Sequence, residues 1–463
     1  MKKMTFASMV SLCMVPFVFS SNESSAIPTW ARKYQVSCYM CHSGMPQRNA
    51  VGEAFKNNGY RLPGGLDEQF TKQKNVKIGT DDWRSGLNAP ATGSFPQFDP
   101  LSVILSGNLV NYKDPVYREN TLTGVRTFNA GKELSYNAPN TAALFYAATI
   151  GDHLSVFGDT SFANNVAGAA GADVDNGVTS NVRAVLEISR GFNIAIGNAY
   201  SLVNYNGTGG GGVTNVSALL PAPQTYAEVN YTRGDKGGVV IVAGTSMATK
   251  NTGIVPAENK INDLLYLRGK VKLFGAGLLS GKGGNTGNSY NGNDNQVTIG
   301  AGLSYTNNND LTHSATGAPT AVGVKGFTGT YLGESLVYGA DVQGTYNDFL
   351  VGVAYSKDRD LGLNNFRAEA GYFVYPWLYA KVAYADLALG QNYGYNPIAP
   401  AAIAMHGDTH QPSIIPSITA WIAPNVSLAG TYTYFTKSMK ATTTANQEQT
   451  NQNTFALAVR AGF

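Results

Sequence analysis

The sequence predicts an all-β transmembrane barrel of about 16 antiparallel strands, in the range 16–18, preceded by a small α-helical domain. Two observations predict the barrel: apolar and polar residues alternate along most segments after Leu101, and tight turns alternate with long loops rich in Gly, Asn and Thr. Charged residues make up 14% of the 463 residues, against about a quarter in soluble domains. The formal net charge of +3 gives no indication of a nucleic-acid partner.

Residues 1–26 are predicted to be a secretory signal peptide. The chain starts with positive charges, continues with an apolar run over residues 4–19, and has small residues up to a cleavage point after Ala26. A retained membrane anchor is the alternative. Cleavage would leave Cys38 and Cys41 as the only cysteines of the exported chain.

Residues 27–87 are predicted to form the α-helical domain, and residues 88–100, rich in Pro and Gly, a linker. The segment NAVGEAFKNNGY contains one helix, for which Asn49 is the expected N-cap and Gly59 the expected stop.

Residues 101–463 are predicted to form the barrel. Segments such as VRAVLEIS and FRAEAGYFV place apolar residues on one face and polar residues on the other. Their polar faces carry the charged residues Arg183, Glu187, Arg367 and Glu369, which would either line the pore or hold a domain inside it. No segment after the signal has 18 consecutive apolar residues, which excludes a helical membrane protein. A large soluble β-sandwich or jelly roll is the alternative, but the apolar face recurs in nearly every strand.

The connections predict two different ends of the barrel. Tight turns are expected at residues 151–152, 190–191, 234–235, 347–348, 375–376 and 424–425, and long loops at 164–177, 207–216, 281–296 and 390–412. Short turns on one side and long loops on the other are typical of an outer-membrane barrel. Tyr375, Trp377 and Trp421 fit an aromatic girdle at the membrane interface. The last strand ends at Phe463, like the signal that the bacterial barrel-assembly machinery recognises.

The segment VSCYMCHSGMP holds Cys38, Cys41 and His42 in the spacing C-x-x-C-H. Two thiols at this spacing can bond the vinyl groups of one haem, and the adjacent imidazole can reach its iron. The sequence therefore predicts one covalent haem c, with Cys38 and Cys41 as thioether sites and His42 as the proximal iron ligand. A zinc site would need a second ligand pair, a thioredoxin-type redox pair a βαβ context, and a plain disulfide would not need His42.

The sequence does not identify the residue that would be the sixth iron ligand. Met40 and Met45 lie too close to His42 in the chain to reach the opposite face of a haem easily. The other candidates are His153, His313, His406, His410, Met247, Met405 and Met439. For each of them, a solvated surface position is the simpler interpretation.

Residues 28–60 resemble the front of fused outer-membrane monohaem cytochrome–porins. The matching positions are Trp30, Ala31, Arg32, Tyr34, Cys38, Cys41, His42, Pro46, Asn49, Gly52 and Phe55. The best-known members of that family are iron oxidases with a porin-like barrel. The resemblance thus implies an Fe(II)-oxidising cytochrome that works by electron transfer, without group-transfer chemistry.

These features together predict a protein of the bacterial outer membrane, in contact with its lipid, that carries electrons through the barrel. The expected donor is extracellular, such as Fe(II), and the expected acceptor is a periplasmic electron carrier. Because a bilayer is about 40 Å thick, one haem outside the barrel could not link the two sides, and the haem domain is expected to plug the lumen. Outward electron transfer to an external acceptor, and a diffusion porin with a haem-containing gating or sensing domain, are the alternatives.

Overall fold

The computed structural model of the chain consists almost entirely of β-strands. It describes residues 28–44, 47–63, 75–77, 94–96, 101–120, 123–150, 153–163, 178–203, 220, 225–246, 264–308, 333–359, 364–388, 410–423, 426–436, 439–441, 447–449 and 453–462. The predicted signal peptide, residues 1–26, lies outside these ranges.

Two helices and a short 3-10 turn precede the barrel. Helix α1 covers Pro28–Tyr34, the 3-10 turn Cys38–Met40, and helix α2 Ala50–Asn57. Helix α2 confirms the predicted cap and stop: Asn49 accepts a hydrogen bond from the Gly52 amide, and Gly59 has a φ of +65° just beyond the last turn. No helix in the described part of the chain is long and apolar enough to cross a membrane.

The strands are β1 His42–Gly44, β2 Gln47–Arg48, β3 Asn75–Lys77, β4 Ser94–Pro96, β5 Leu101–Lys113, β6 Val116–Asn120, β7 Arg126–Ala130, β8 Glu133–Ile150, β9 Leu154–Ala163, β10 Val178–Ser189, β11 Phe192–Gly197, β12 Tyr226–Arg233, β13 Lys236–Ser246, β14 Leu264–Ala276, β15 Gln296–Asn308, β16 Gly333–Tyr346, β17 Phe349–Asp358, β18 Asn364–Tyr375, β19 Leu378–Ala388, β20 His410–Ala423, β21 Val426–Phe435, β22 Met439–Ala441, β23 Gln447–Gln449 and β24 Thr454–Gly462.

Sixteen of these strands form a closed barrel, as the alternation predicts. They are β5, β8 to β21 and β24; each pairs antiparallel with the next along the chain, and β24 closes the ring by pairing with β5. A four-stranded sheet of β22, β23, β6 and β7 continues two of the barrel hairpins. Residues 94–96, inside the predicted linker, pair with residues 75–77.

The two faces of the barrel differ in polarity. In β17, Val351, Val353 and Tyr355 are exposed, whereas the alternate residues Leu350 and Ser356 are buried. In β10, Leu186 and Ile188 are exposed and Arg183 is buried, so the charged face is the inner one. A continuous apolar outer face on a closed barrel is the form that spans a lipid bilayer, because every backbone hydrogen bond is made within the ring.

The aromatic girdle is only partly as predicted. Tyr375 and Trp377 are about half exposed and stack on each other with ring centroids 5.6 Å apart. Trp421, in contrast, is buried against Phe373, and the prediction that it faces lipid is wrong. In β20 the exposed residues are Ile414, Ile418 and Ile422, so strand parity turns Trp421 into the lumen.

The two ends of the barrel can be identified from the connections. Turns of two residues join β10 to β11, β12 to β13, β16 to β17 and β18 to β19, and the last of these, residues 376–377, lies one residue later than predicted. Predicted turns 151–152 and 424–425 lie outside the described residues, as do loops 164–177 and 207–216 and residues 390–409. We call the end of the barrel at which the two-residue turns lie the short-turn end, and the opposite end the long-loop end.

One predicted long loop lies at the other end. Residues 277–295 connect β14 to β15, and strand order places this connection beside the two-residue turns. Its backbone amides at Leu278 and Leu279 donate to the carbonyls of Gly237 and Gly234 in the β12–β13 turn region, at 2.8 and 3.1 Å. The prediction that residues 281–296 lie with the long loops is therefore wrong. We name residues 277–295 the rim segment.

Candidate functional site

The C-x-x-C-H motif forms a compact turn that helix α2 holds in place. Cys38 begins the 3-10 turn and Cys41 is half-buried at its end, although the side chain of Cys38 lies outside the described structure. The amide group of Asn49 donates to the carbonyls of Tyr39 and Met40, at 3.0 and 3.1 Å, and its backbone N–H donates to the Cys41 carbonyl at 3.0 Å. One side chain therefore caps α2 and also fixes the turn.

His42 lies on the short hairpin that follows the turn. Strands β1 and β2 pair His42 with Arg48, and the Nδ1 atom of His42 lies 3.2 Å from the Gln47 carbonyl oxygen. If Nδ1 donates this hydrogen bond, iron would bind at Nε2, because a ligating imidazole usually holds its other N–H against a backbone carbonyl or a carboxylate. The residues present thus fit the predicted haem attachment.

The hairpin contacts the inner wall of the barrel. A Cβ atom placed on Gly44 would lie 2.6 Å from Cη2 of Trp421, so the backbone of Gly44 packs directly on the indole ring. Trp421 cannot easily move away, because it stacks on the fully buried Phe373 at a centroid distance of 6.0 Å. This places the motif against β18 and β20.

Helix α2 forms an ion pair with the wall. The Glu53 carboxylate is bonded to Lys270 of β14, and Lys272 lies nearby. Burial acts to raise the pKa of Glu53, but Lys270 and Lys272 outweigh it and lower the pKa to about 2. In the next turn of the helix, burial lowers the pKa of Lys56, and the nearby cation Arg48 acts in the same direction.

The end of α2 is bound by polar contacts to the rim segment and to β11. Asn57 donates to the Leu278 carbonyl at 3.1 Å, and Asn58 donates to the Leu279 carbonyl at 2.8 Å. Asn193 of β11 in turn donates to the Asn57 carbonyl at 3.0 Å. These bonds join backbone and side chains more than 130 residues apart in the chain, and they hold α2 against the wall.

An aromatic cluster joins α1, α2 and the wall. Trp30, Tyr34, Phe55 and Tyr60 pack on one another, and Tyr60 contacts Phe157 of β9 with ring centroids 5.1 Å apart. Burial raises the pKa of the Tyr60 phenol. Near the cluster, Arg32 bonds the Leu101 carbonyl and Lys33 bonds Thr149 of β8.

All these contacts lie inside the barrel, near its short-turn end. The wall residues belong to β5, β8, β9, β11, β14 and β20, which surround the lumen on several sides. Lys270 lies at the middle of β14, and the others lie in the half of their strand that adjoins the short turns. Leu101 contributes only its backbone carbonyl, since its side chain is exposed on the outer face; the other wall residues face the lumen. Residues 28–44 and 47–61 therefore occupy the short-turn mouth.

The inward charges predicted from the sequence have different partners. Glu187 lies 3.6 Å from Arg61, next to the aromatic cluster, whereas Arg183 pairs with Glu228 at 2.5 Å deeper in the lumen. Arg367 and Glu369 lie 3.8 Å apart on the same strand and line the lumen. The pairing of Glu53 with Lys270 could not be predicted from the sequence, because nothing in their local sequence distinguishes these two residues from surface charges.

The candidates for a sixth iron ligand are distributed over the chain. Met40 is exposed in the motif turn itself, and His153 is exposed in the turn after β8. His410 and Met439 lie in strands, but their side chains are outside the described structure, and so are Met45, Met247, His313, Met405 and His406. Among the described residues, no group of three or more His, Cys, Asp or Glu side chains could hold a metal ion.

Comparisons with known proteins identify no sequence relative. No family profile and no curated protein matches the chain. Among solved structures it is similar to in-vitro folded OmpT, an outer membrane protein of Vibrio cholerae, at 12% identity and a TM-score of 0.42 over 84% of this chain and 99% of that one. It is also similar to a mutant of the Rh. blastica porin, at 10% identity and a TM-score of 0.37 over 78% and 100%. At these scores the strand pairing within this chain is the evidence for its fold.

Proposed function

We propose that this chain is an outer-membrane electron-transfer protein that binds one covalent haem c in the short-turn mouth of its barrel. The observation that carries the proposal is the position of Cys41 and His42: a C-x-x-C-H turn, fixed by Asn49, is held within the mouth of a closed barrel. A diffusion pore needs no such motif in its mouth. The apolar outer face of the barrel supports the outer-membrane location.

The residues of the motif have distinct parts in this proposal. Cys38 and Cys41 would hold the group through their sulfur atoms and His42 would supply the imidazole ligand, which the hydrogen bond between Nδ1 and the Gln47 carbonyl would keep in orientation. Haem supplies a one-electron Fe(III)/Fe(II) couple when bound. The wall around the hairpin, with Trp421 and Phe373, excludes water from that side of the site.

The position of the site also defines how an electron donor would reach it. Short turns face the periplasm in bacterial barrels, so the motif lies near the periplasmic side. The 13 residues of β14 span about 40 Å along the strand, which is too far for one haem at the mouth to reach the long-loop side directly. An extracellular donor such as Fe(II) would therefore enter the lumen, and a periplasmic carrier would take the electron at the mouth.

A haem assay and a vesicle assay test the proposal together. We expect a pyridine haemochrome spectrum of a c-type haem from outer-membrane fractions of a strain that attaches such haems, and loss of most covalent haem in a Cys41→Ala variant. In sealed proteoliposomes, Fe(II) supplied on the long-loop side should reduce the wild-type haem. Barrel protein without porphyrin would refute the proposal. A haem that Fe(II) on the long-loop side does not reduce, but that an electron acceptor on the same side oxidises, would favour outward electron transfer.

A diffusion porin with a haem-containing gate remains the second candidate. The contacts of residues 28–61 with several sides of the lumen argue for a narrowed mouth, and we expect low single-channel conductance in planar bilayers. A high conductance that deletion of residues 27–87 leaves unchanged would favour the open pore.

A further inference from the structure

The short-turn end of the barrel has a basic margin beside the C-x-x-C-H turn. Lys236 and Lys282 are exposed there, and so is Arg190, which lies 3.8 Å from the exposed carboxylate of Asp235. No described carboxylate lies within ion-pair distance of either lysine. The three cations therefore outnumber the one exposed carboxylate among them.

This margin adjoins the motif turn through direct contacts. Gly283 packs on the Lys236 side chain, where an added Cβ would lie 3.1 Å from Cγ, and Gly281 packs on Val51 at the start of α2. The residue before α2, Asn49, bonds the carbonyls of Tyr39 and Met40, as described above. The basic margin is thus continuous with the turn that carries the cysteines.

The turn itself presents an apolar centre. Tyr39 and Met40, the two residues between Cys38 and Cys41, are 46% and 43% exposed. An exposed apolar centre next to a margin of one charge is the usual make-up of transient electron-transfer interfaces, which are small and use charge to raise the rate of encounter.

We propose that this surface, Tyr39 and Met40 with Lys236, Lys282 and Arg190, is the docking site for a soluble electron carrier of negative net charge. The inference rests on the proposed function and names the kind of partner that the site would serve. Its three cations are exposed on the turns and the rim segment at the short-turn end of the barrel, the side that the proposed function assigns to the periplasm. A cationic margin favours an acidic protein and repels a basic one.

Two forms of one probe test the charge requirement. A small basic cytochrome c and the same protein with its lysines succinylated have the same fold and opposite charge. We expect the succinylated form to bind full-length protein in nanodiscs, with an association rate that falls about tenfold or more from low to physiological salt, and the basic form to bind far more weakly.

Charge reversals locate the surface. Lys282→Glu should slow association several-fold, and the double variant Lys236→Glu/Lys282→Glu should slow it about tenfold. Lys132→Glu is the matched control, because Lys132 is exposed beyond β7, at the long-loop end, and its reversal changes the net charge equally. Equal effects of Lys282→Glu and Lys132→Glu, or equal binding of both probes, would overturn the inference.

The binding measurement does not require haem, so the two proposals can fail separately. Protein that carries haem but does not distinguish the probes would contradict the docking surface alone. Protein without porphyrin on the haemochrome assay would contradict the proposed function, whatever the binding result.

Discussion

The ion pair between Glu53 and Lys270 should determine how firmly α2 is held in the barrel mouth. The carboxylate is 9% exposed and the ammonium 17%, so both charges depend on each other for stabilisation. The pKa of Glu53 falls from 4.5 to about 2, and each unit corresponds to about 1.4 kcal/mol. Glu53→Gln should therefore cost about 3 kcal/mol of the free energy that keeps α2 in place.

Amide hydrogen exchange of residues 53–57 measures this cost. We expect protection factors to fall more than 100-fold in Glu53→Gln, because a factor of ten corresponds to about 1.4 kcal/mol. The double variant Glu53→Gln/Lys270→Met should recover much of the loss, since it leaves no buried charge alone. The control Glu133→Gln breaks the exposed pair with Lys113, at 2.9 Å, and should change little.

The same pair predicts a pH dependence. A carboxylate whose pKa is lowered on folding contributes its full stabilisation above about pH 4.5 and loses it as the pH falls toward 2. Wild-type protection factors should therefore decrease over that window, and those of Glu53→Gln should stay flat. Unchanged exchange in Glu53→Gln at pH 7 would refute the reasoning, because the helix would then be held by its other contacts alone.

Three further substitutions test the packing around the C-x-x-C-H motif and helix α2. Gly44→Ala should displace the His42 hairpin, because its Cβ would lie 2.6 Å from the ring of Trp421. The hairpin should then be cleaved faster by a protease, and the double variant Gly44→Ala/Trp421→Leu should restore its resistance to cleavage. Gly52→Ala should lower the yield of covalent haem on a haemochrome assay, because its Cβ would lie 2.0 Å from the Cys41 carbonyl oxygen; normal loading would contradict the tight packing of turn and helix. Asn58→Ala should cost about 1–3 kcal/mol by leaving the Leu279 carbonyl without its donor, which hydrogen exchange of α2 measures.

Most of the fold follows from local sequence patterns, and the exceptions have physical causes. Strand parity places Trp421 in the lumen, since Ile418 and Ile422 occupy the outer face, whereas its position near a strand end favours the girdle. The rim segment has the Gly- and Asn-rich composition of the long loops. Amino-acid composition indicates flexibility and turn preference. The end of the barrel at which a connection lies is set by the number of strands that precede it, because successive connections alternate between the two ends.

The sequence by itself determined an antiparallel barrel of about 16 strands, a helix that follows the Asn49 cap, and the presence of C-x-x-C-H, because each depends on residues within a few positions of one another. Only the tertiary structure decided that this motif lies in the short-turn mouth, that Glu53 pairs with Lys270, and that the rim segment supports α2. These contacts join residues more than 200 positions apart, and closure of the barrel brings them together.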